Sequence, residues 1–436
     1  MESNIENCGQ LMYSLAERLF PICRSITGNG FRESLNIIRE QLPEISVVEV
    51  PSGTSVFDWT VPKEWNINGG YIETLSGDRV VDFMDSNLHV LGYSIPIDAI
   101  VSKEELLEHV YTMPDQPDWI PYVTSYYKER WGFCMSENQK KTLSEDNYHV
   151  CIDSTLENGS LTYGELIIPG ETKDEVMITT YLCHPSMANN ELSGPVVWTE
   201  LIKYVKSLSN RRFTYRFLIN PETIGSITYL SKNLEALQRN VKAGFVLSCV
   251  GDERAYSLVE SRTAGTLADR VAKNVLGHIA PDYLTYSFIK RGSDERQFCA
   301  PTVNLPFCGI CRSKYHEFPE YHTSADDMNL ISPDGLQGTL ELMKNIINAL
   351  EYNYNYQVSC HCEPQLGKRG LYPSISQKGA YDSVTALKDF LAYADGASDL
   401  IDISNRINQP IDVLIPIVKK LVQNGLISKN ISENVG

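Results

Sequence analysis

The sequence predicts an α/β fold: a largely parallel sheet covered by helices on both faces, a small β-rich unit inserted near its start, and a winged helix domain after it. Three observations predict this. From Trp131 to Leu350, apolar runs of strand length alternate with amphipathic stretches of helix length, the pattern of successive βαβ units. Before them, residues 47–126 hold short alternating runs broken by Ser52-Gly53 and Ser76-Gly77-Asp78, the mark of a small all-β unit. After Tyr381 come three short amphipathic segments spaced as in a winged helix-turn-helix.

In chain order, residues 11–42 read as helices broken at Pro21 and at Gly28-Asn29-Gly30, the second carrying Leu35, Ile38 and Leu42 at helical spacing. Strands are expected at 47–50, 70–73, 79–83 and 89–93. In the α/β part, 175–182, 215–220, 244–250 and 302–305 read as strands, and 194–208, 227–237, 266–275 and 335–350 as helices. The expected domains are therefore 1–46 with 127–351 (α/β), 47–126 (inserted), 352–377 (a Tyr-, Pro- and Gly-rich linker) and 378–436 (winged helix). Helices there are expected at 384–392, 399–407 and 411–424.

The 436 residues carry 38 Lys+Arg against 55 Asp+Glu, a net charge of −17. That field repels phosphate and disfavours non-specific binding to nucleic acid or anionic membrane. The winged helix region offers no local exception, with six Lys/Arg against seven Asp/Glu between Lys378 and Gly436, so a packing or protein-contact role is expected of it before DNA binding. No stretch has the length of apolar sequence a membrane span needs. Met1 to Gln10 lacks a basic and then apolar leader, and the eleven scattered cysteines suit a reducing compartment. A cytoplasmic protein is expected, and its charge balance is compatible with homo-oligomers.

The residues with chemistry fall at strand ends. His184 follows the strand at 175–182, Glu222 follows the strand at 215–220, and His322 precedes the last long helix. Loops at the carboxyl ends of parallel strands share one rim, so two imidazoles and a carboxylate can converge there. Zinc takes His nitrogens and carboxylates with one position open, and a nearby Glu can accept a proton. Taken singly, each has a plainer role: a hydrogen-bonding loop histidine, or a glutamate at a helix start. Arg24 and Arg262, in turn-rich segments, are either surface ties or clamps for a substrate carboxylate or phosphate. Tyr126 and Tyr127 are either core or the wall of a sugar or peptide site. Cys308, Cys311, Cys360 and Cys362 read as idle thiols before a structural zinc cluster.

The series His184-Pro185, Asn189-Asn190-Glu191-Leu192-Ser193-Gly194, Pro221-Glu222-Thr223-Ile224-Gly225, Leu247-Ser248-Cys249-Val250-Gly251-Asp252, Gly292-Ser293-Asp294-Glu295-Arg296 and Tyr321-His322-Thr323-Ser324-Ala325-Asp326-Asp327 resembles the motif series of the co-catalytic zinc aminopeptidases over about half the chain. With Phe20-Pro21-Ile22-Cys23-Arg24-Ser25-Ile26-Thr27-Gly28 and Cys183-His184-Pro185-Ser186, the chain more closely resembles, over nearly its whole length, the polysaccharide-biosynthesis proteins with an aminopeptidase-like domain and a C-terminal winged helix. The resemblance implies a three-layer aminopeptidase-like α/β/α sandwich. It implies His184 and His322 as metal ligands and Glu222 as general base, with Asp294 and Asp326 at structural or second-layer positions. It also exposes departures: the second glutamate is Thr223, the bridging aspartate is Asn190 with Glu191 beside it, and a further aspartate is Ser248. Three carboxylates that would offset two dications are missing, so a single zinc is expected on His184 and His322, completed by Asn190, Glu191 or water.

The function expected is that of a metal-dependent, aminopeptidase-like hydrolase, an amidase acting on a small peptide or an acylated amino-sugar type of substrate. The alternative is a catalytically weakened or inactive peptidase-fold binding protein in polysaccharide biosynthesis or regulation, which the lost carboxylates favour.

Overall fold

The structure, a computed structural model, describes residues 8–371 and 382–430. The chain divides into two units: Met1–Thr266 with Leu284–Leu340, and Leu267–Tyr283 with Glu341–Gly436.

The first unit is organised by an eight-stranded sheet. Its strands are β1 (Ser46–Pro51), β2 (Ser160–Ile168), β3 (Glu175–Tyr181), β4 (Thr214–Asn220), β5 (Val241–Leu247), β6 (Ser257–Val259), β7 (Leu284–Tyr286) and β8 (Phe307–Cys311). They lie in the order β1-β2-β4-β3-β5-β8-β6-β7. The four central strands β4, β3, β5 and β8 are parallel, while β1, β2 and β6 join antiparallel. The sheet is thus mixed: parallel through its centre and again where β7 pairs with β6 at its edge. Every residue of β3 is buried, as expected of a central strand covered on both faces. Register is pinned by Arg216 of β4, which donates to both oxygens of Glu175 on β3 (2.6 and 3.0 Å) and to Glu165 on β2 (2.6 Å). Such bidentate pairs fix orientation as well as charge.

Helices α1 (Cys8–Leu19), α2 (Asn29–Arg39), α3 (Ser193–Ser207) and α4 (Ile224–Asn240) belong to this unit. Trp198 of α3 packs edge-on against Phe217 (5.8 Å) and donates to the Ile178 carbonyl (3.2 Å). Gly194 opens α3 where a Cβ would stand 2.3 Å from Thr180 Oγ1 and 2.7 Å from the Leu247 carbonyl. Only glycine lets the helix start approach the ends of β3 and β5 so closely.

The last strand lies at 307–311, not at 302–305, where the chain turns; the apolar side chains of Phe307 and Ile310 are fully buried there. A separate four-stranded antiparallel sheet is built from Arg79–Asp82, Glu64–Thr74, Asn147–Glu157 and Ile97–Ser102, in that order. Two boundaries differ from expectation. Val47–Val50 pair with β2 in the main sheet, and the strand Asn147–Glu157, beyond residue 126, lies inside the smaller sheet, paired on both edges. Alternation along a strand shows which face is buried but not which sheet it joins. Nor are residues 89–93 a strand; Asn87–His89 make a single 3₁₀ turn, and Val90 and Gly92 form only isolated bridges.

In the second unit, Asp382–Tyr393, Leu400–Ile407 and Ile411–Gln423 are helices, packed with a three-stranded sheet of Asp395–Asp399, Asn355–Val358 and Ile427–Asn430. The Asp399 side chain caps the second helix at the Asp402 N–H (2.9 Å), and Asn408 ends it in the left-handed conformation, φ 49°. Residues 355–358, expected within a linker, are the central strand of this sheet; residues 372–377 of that stretch, and 378–381 and 431–436 of the expected winged helix domain, lie outside the described residues. Among the described residues no helix is long and apolar enough to cross a membrane.

Candidate active site

The strand order fixes where the chemistry gathers. The loops after β3 and β4 carry His184 and Glu222, and the long loop after β8 carries His322. All three line one cavity of about 360 Å³. The rings of His184 and His322 are 5.2 Å apart, centroid to centroid, and His184 Nε2 lies 3.8 Å from Glu222 Oε2.

All three of these loops carry backbone strain, the first at Ser186 (φ 38°). Thr223 (φ 64°) and His322 (φ 58°) lie in the left-handed region, at a cost of roughly 1–3 kcal/mol each that the surroundings must offset. Asp294, fully buried, accepts the Thr223 N–H (2.7 Å) and the Asn220 amide (3.1 Å), locking the turn that carries Glu222. The His322 carbonyl accepts the Tyr122 N–H (2.9 Å), and Thr323 bridges to Pro121.

His184 is buried, with Nδ1 2.6 Å from Glu191 Oε2; the other Glu191 oxygen accepts the Cys183 N–H. A proton on Nδ1 leaves Nε2 as the free nitrogen facing Glu222. Burial works to lower the His184 pKa, but the charges of Glu191 and Glu222 outweigh it and raise it. Burial pushes the Glu222 carboxyl up to about 7, against the pull of His184 and Arg296. His322 goes the other way: burial, reinforced by His184 and His316, holds it well below the usual histidine value. Its Nε2 is buried and has no hydrogen-bond partner. A neutral imidazole with an orphaned nitrogen is what a metal ligand requires and what a structural histidine avoids. The ring separation also suits a shared ion, since nitrogen–zinc bonds near 2.0–2.1 Å in tetrahedral arrangement put two imidazole centroids about 5 Å apart. On these observations the residues fit a single zinc.

The remaining expected site residues sort differently. Asn190 does not face the cavity: its Oδ1 accepts from Tyr181 Oη (3.2 Å) and Cys249 Sγ (3.6 Å), and its Nδ2 points to Met187 Sδ. It sits in a π-helical turn, Ala188–Leu192, which carries Glu191 round to His184. Glu191 has both oxygens engaged, so the cluster Cys183, His184 and Glu191, the one such group found among the described residues, is an internal hydrogen-bonded brace. Asp326 does not orient His322; it accepts the backbone N–H groups of Asn189 (2.6 Å) and Asn190 (2.9 Å). Arg24 is not a clamp in the cavity. It is buried, donating to the carbonyls of His184 (3.0 Å) and Leu19 (2.6 Å). Arg262 is exposed and tied to Asn304, outside the cavity lining. Cys308 and Cys311 are buried within β8.

Sequence reasoning missed several lining residues. Tyr122 stands 5.0 Å from His184 and 5.1 Å from His322, ring to ring, and bonds Tyr126 hydroxyl to hydroxyl (2.7 Å). Trp59 packs edge-on to Tyr127 at 5.8 Å. Arg296 donates to Thr223 Oγ1. Arg296 carried a signal, since it follows Asp294 within one motif; Trp59 and Tyr122 carried none, because their loops reach the site only through tertiary pairing.

Comparisons with known proteins bear on the family and the fold. The model of a domain of unknown function, DUF4910, matches residues 13–353, and a winged helix-turn-helix model matches 354–429. A Clostridium acetobutylicum protein, provisionally named a polysaccharide biosynthesis protein with aminopeptidase-like domain, is 45% identical over 92% of each chain. A crystal structure from the same organism, provisionally named a peptidase, is 42% identical and superposes with a TM-score of 0.91 over 97% of this chain and 96% of that one. The zinc aminopeptidase BSAP of Bacillus subtilis, 14% identical, covers 78% of this chain and 94% of its own with a TM-score of 0.57, a likeness of fold.

Proposed function

The chain belongs to the family of the DUF4910 domain, and from that premise, together with the convergence of His184, His322 and Glu222, we propose that it is a metal-dependent hydrolase of an amide bond in a small peptide or acylated amino sugar. The observation that carries the proposal is the buried, unpartnered Nε2 of His322 on a cavity shared with His184 and Glu222. His184 and His322 would hold one zinc through Nε2. When bound, zinc polarises a carbonyl and makes a water acidic near neutral pH. Glu222 is the general base: its carboxylate accepts a proton from the attacking water and returns it to the leaving nitrogen. Burial works to keep that carboxyl basic, against the pull of His184 and Arg296. Glu191 holds the His184 ring and keeps the proton on Nδ1. Asp294 holds the turn that presents Glu222.

Zinc content of chelated and reconstituted protein tests the metal. One ion per chain is expected in the native sequence, lost in His322→Ala and in His184→Ala; a stoichiometry untouched by both removes the metal site. Glu222→Gln should keep the ion yet lower turnover on acylated amides at least about a hundredfold. Turnover surviving in that variant would falsify the general-base role. Binding without turnover in the native chain would instead favour a ligand-binding protein on a peptidase scaffold, the reading that Thr223, Asn190 and Ser248 support by removing carboxylates.

A further inference from the structure

Among the charged side chains at the cavity, one pulls on the Glu222 carboxyl but is given no step or ligand in the chemistry proposed above. Arg296 lines the cavity beside Glu222 and Thr223 and is half-buried. Its Nη2 donates to the Thr223 hydroxyl, its Nε is buried without a partner, and among the described residues no carboxylate lies within ion-pair distance of it. Its charge is felt by the buried carboxyls of Glu222 and Asp294, yet neither closes an ion pair with it, which leaves the guanidinium free to take an anion from the cavity.

The charge inventory points the same way. Apart from the two imidazoles, the charged groups lining the cavity are Glu222 and Arg296. With Glu222 used as the base, no carboxylate remains to hold the free ammonium of a peptide amino terminus, whereas a planar fork suited to carboxylate or phosphate does remain. Around it stand Trp59, Tyr122, Tyr126 and Tyr127, with flat apolar faces and hydroxyls.

We propose that Arg296 receives a substrate oxyanion, so that this site takes N-acylated compounds bearing a carboxylate or phosphate and not peptides with a free amino terminus. The proposal rests on the amide-hydrolase reading for the identity of the acyl group, but its test does not require turnover.

Isothermal titration of the full-length protein is run with N-acetyl-L-tyrosine, N-acetyl-L-tyrosinamide and L-tyrosinamide, which are anionic, neutral and cationic. A second arm uses N-acetylglucosamine 6-phosphate against N-acetylglucosamine. In at least one arm the anion should bind about tenfold more tightly than its neutral partner, as a charge-assisted bidentate pair provides, and L-tyrosinamide should bind most weakly. The arm that shows the preference identifies the anion as carboxylate or phosphate. Arg296→Met should erase the preference, and Arg296→Lys should keep part of it. Equal binding of anion and neutral partner in both arms overturns the proposal, as does tighter binding of L-tyrosinamide, no binding of any probe at millimolar concentration, or a preference intact in Arg296→Met. The native comparison stands without the variants should Arg296→Met fail to fold. The two readings fail separately. Persistent turnover in Glu222→Gln sinks the hydrolase mechanism and leaves the anion preference, whereas a missing preference with Glu222→Gln inactive sinks only the role of Arg296.

Discussion

The surroundings of His184, on the cavity, and of Asn190, turned away from it, are built on neighbouring strand ends, yet these two sides handle charge in opposite ways. Behind His184 stand ions: Glu191 on its Nδ1 and the Arg24 guanidinium on its carbonyl. Around the Asn190 side chain, at the ends of β3 and β5, the partners are neutral. The Tyr181 hydroxyl donates to Asn190 Oδ1 (3.2 Å) and shares a short hydrogen bond with Ser248, and the Cys249 thiol faces the same amide oxygen at 3.6 Å. Burial raises both Tyr181 and Cys249 far above their ordinary pKa values, so neither supplies an anion at neutral pH. A dication on the first side meets buried negative charge. On the second it would meet only hydroxyl, thiol and amide dipoles, which are poor zinc ligands beside carboxylates. The difference teaches why one metal, and not two, is the proposal that the site supports.

The sharpest way to break the comparison is to remove an ion from the charged side. Arg24 holds two backbone carbonyls from a buried position and stands near Glu191. Arg24→Met should therefore cost about 3 kcal/mol, the price of buried acceptors and a carboxylate left without their cation. Urea denaturation reads that loss. A large rise in KM with unchanged stability would return Arg24 to the cavity as a clamp. Next in size is Glu191→Gln, which keeps a hydrogen-bonding group on His184 Nδ1 but removes its charge. Zinc affinity should fall about 10–100-fold, the usual effect of changing the partner of a ligating histidine. Competition against a zinc chelator measures it, and an unchanged affinity would mean that Glu191 only braces the Cys183 turn.

The resemblance to polysaccharide-biosynthesis proteins with an aminopeptidase-like domain is borne out by the Clostridium acetobutylicum relative, and the expected α/β sandwich and winged helix by the structural and family matches. Strands such as β3 and β4 were legible because their side chains answer to one burial environment along their whole length. Sheet membership was not: Val47–Val50 and Asn147–Glu157 both alternate, and only long-range pairing sends one to the main sheet and the other to the smaller one. The same limit runs through the site. His184, Glu222 and His322 stand out at strand ends because loop chemistry is local to the sequence. The partners that decide their roles come from far along the chain: Tyr122 reaches His322 from 200 residues away by a backbone bond and a ring contact. Arg24 misled for the opposite reason. A motif rich in Ser, Thr and Gly looks like an anion nest, yet two of the three guanidinium nitrogens, Nε and Nη1, are taken by carbonyls 160 and 5 residues distant.

The neutral side gives the smallest and most discriminating test. Tyr181→Phe deletes one hydroxyl that serves Asn190 and Ser248 while leaving the ring 5.7 Å from His184. Asn190 Oδ1 keeps its contact with the Cys249 thiol, so only part of its hydrogen bonding is lost, and the stability cost should be about 1 kcal/mol. Zinc affinity should be unchanged, because no charge is altered and the His184–Glu191 pair is intact. Thermal unfolding and the chelator competition on the same preparation check both halves. Should zinc binding weaken as much as in Glu191→Gln, the Tyr181 hydroxyl would belong to the metal's environment. The two sides would then act as one site, and the missing carboxylates would no longer decide how many ions it holds.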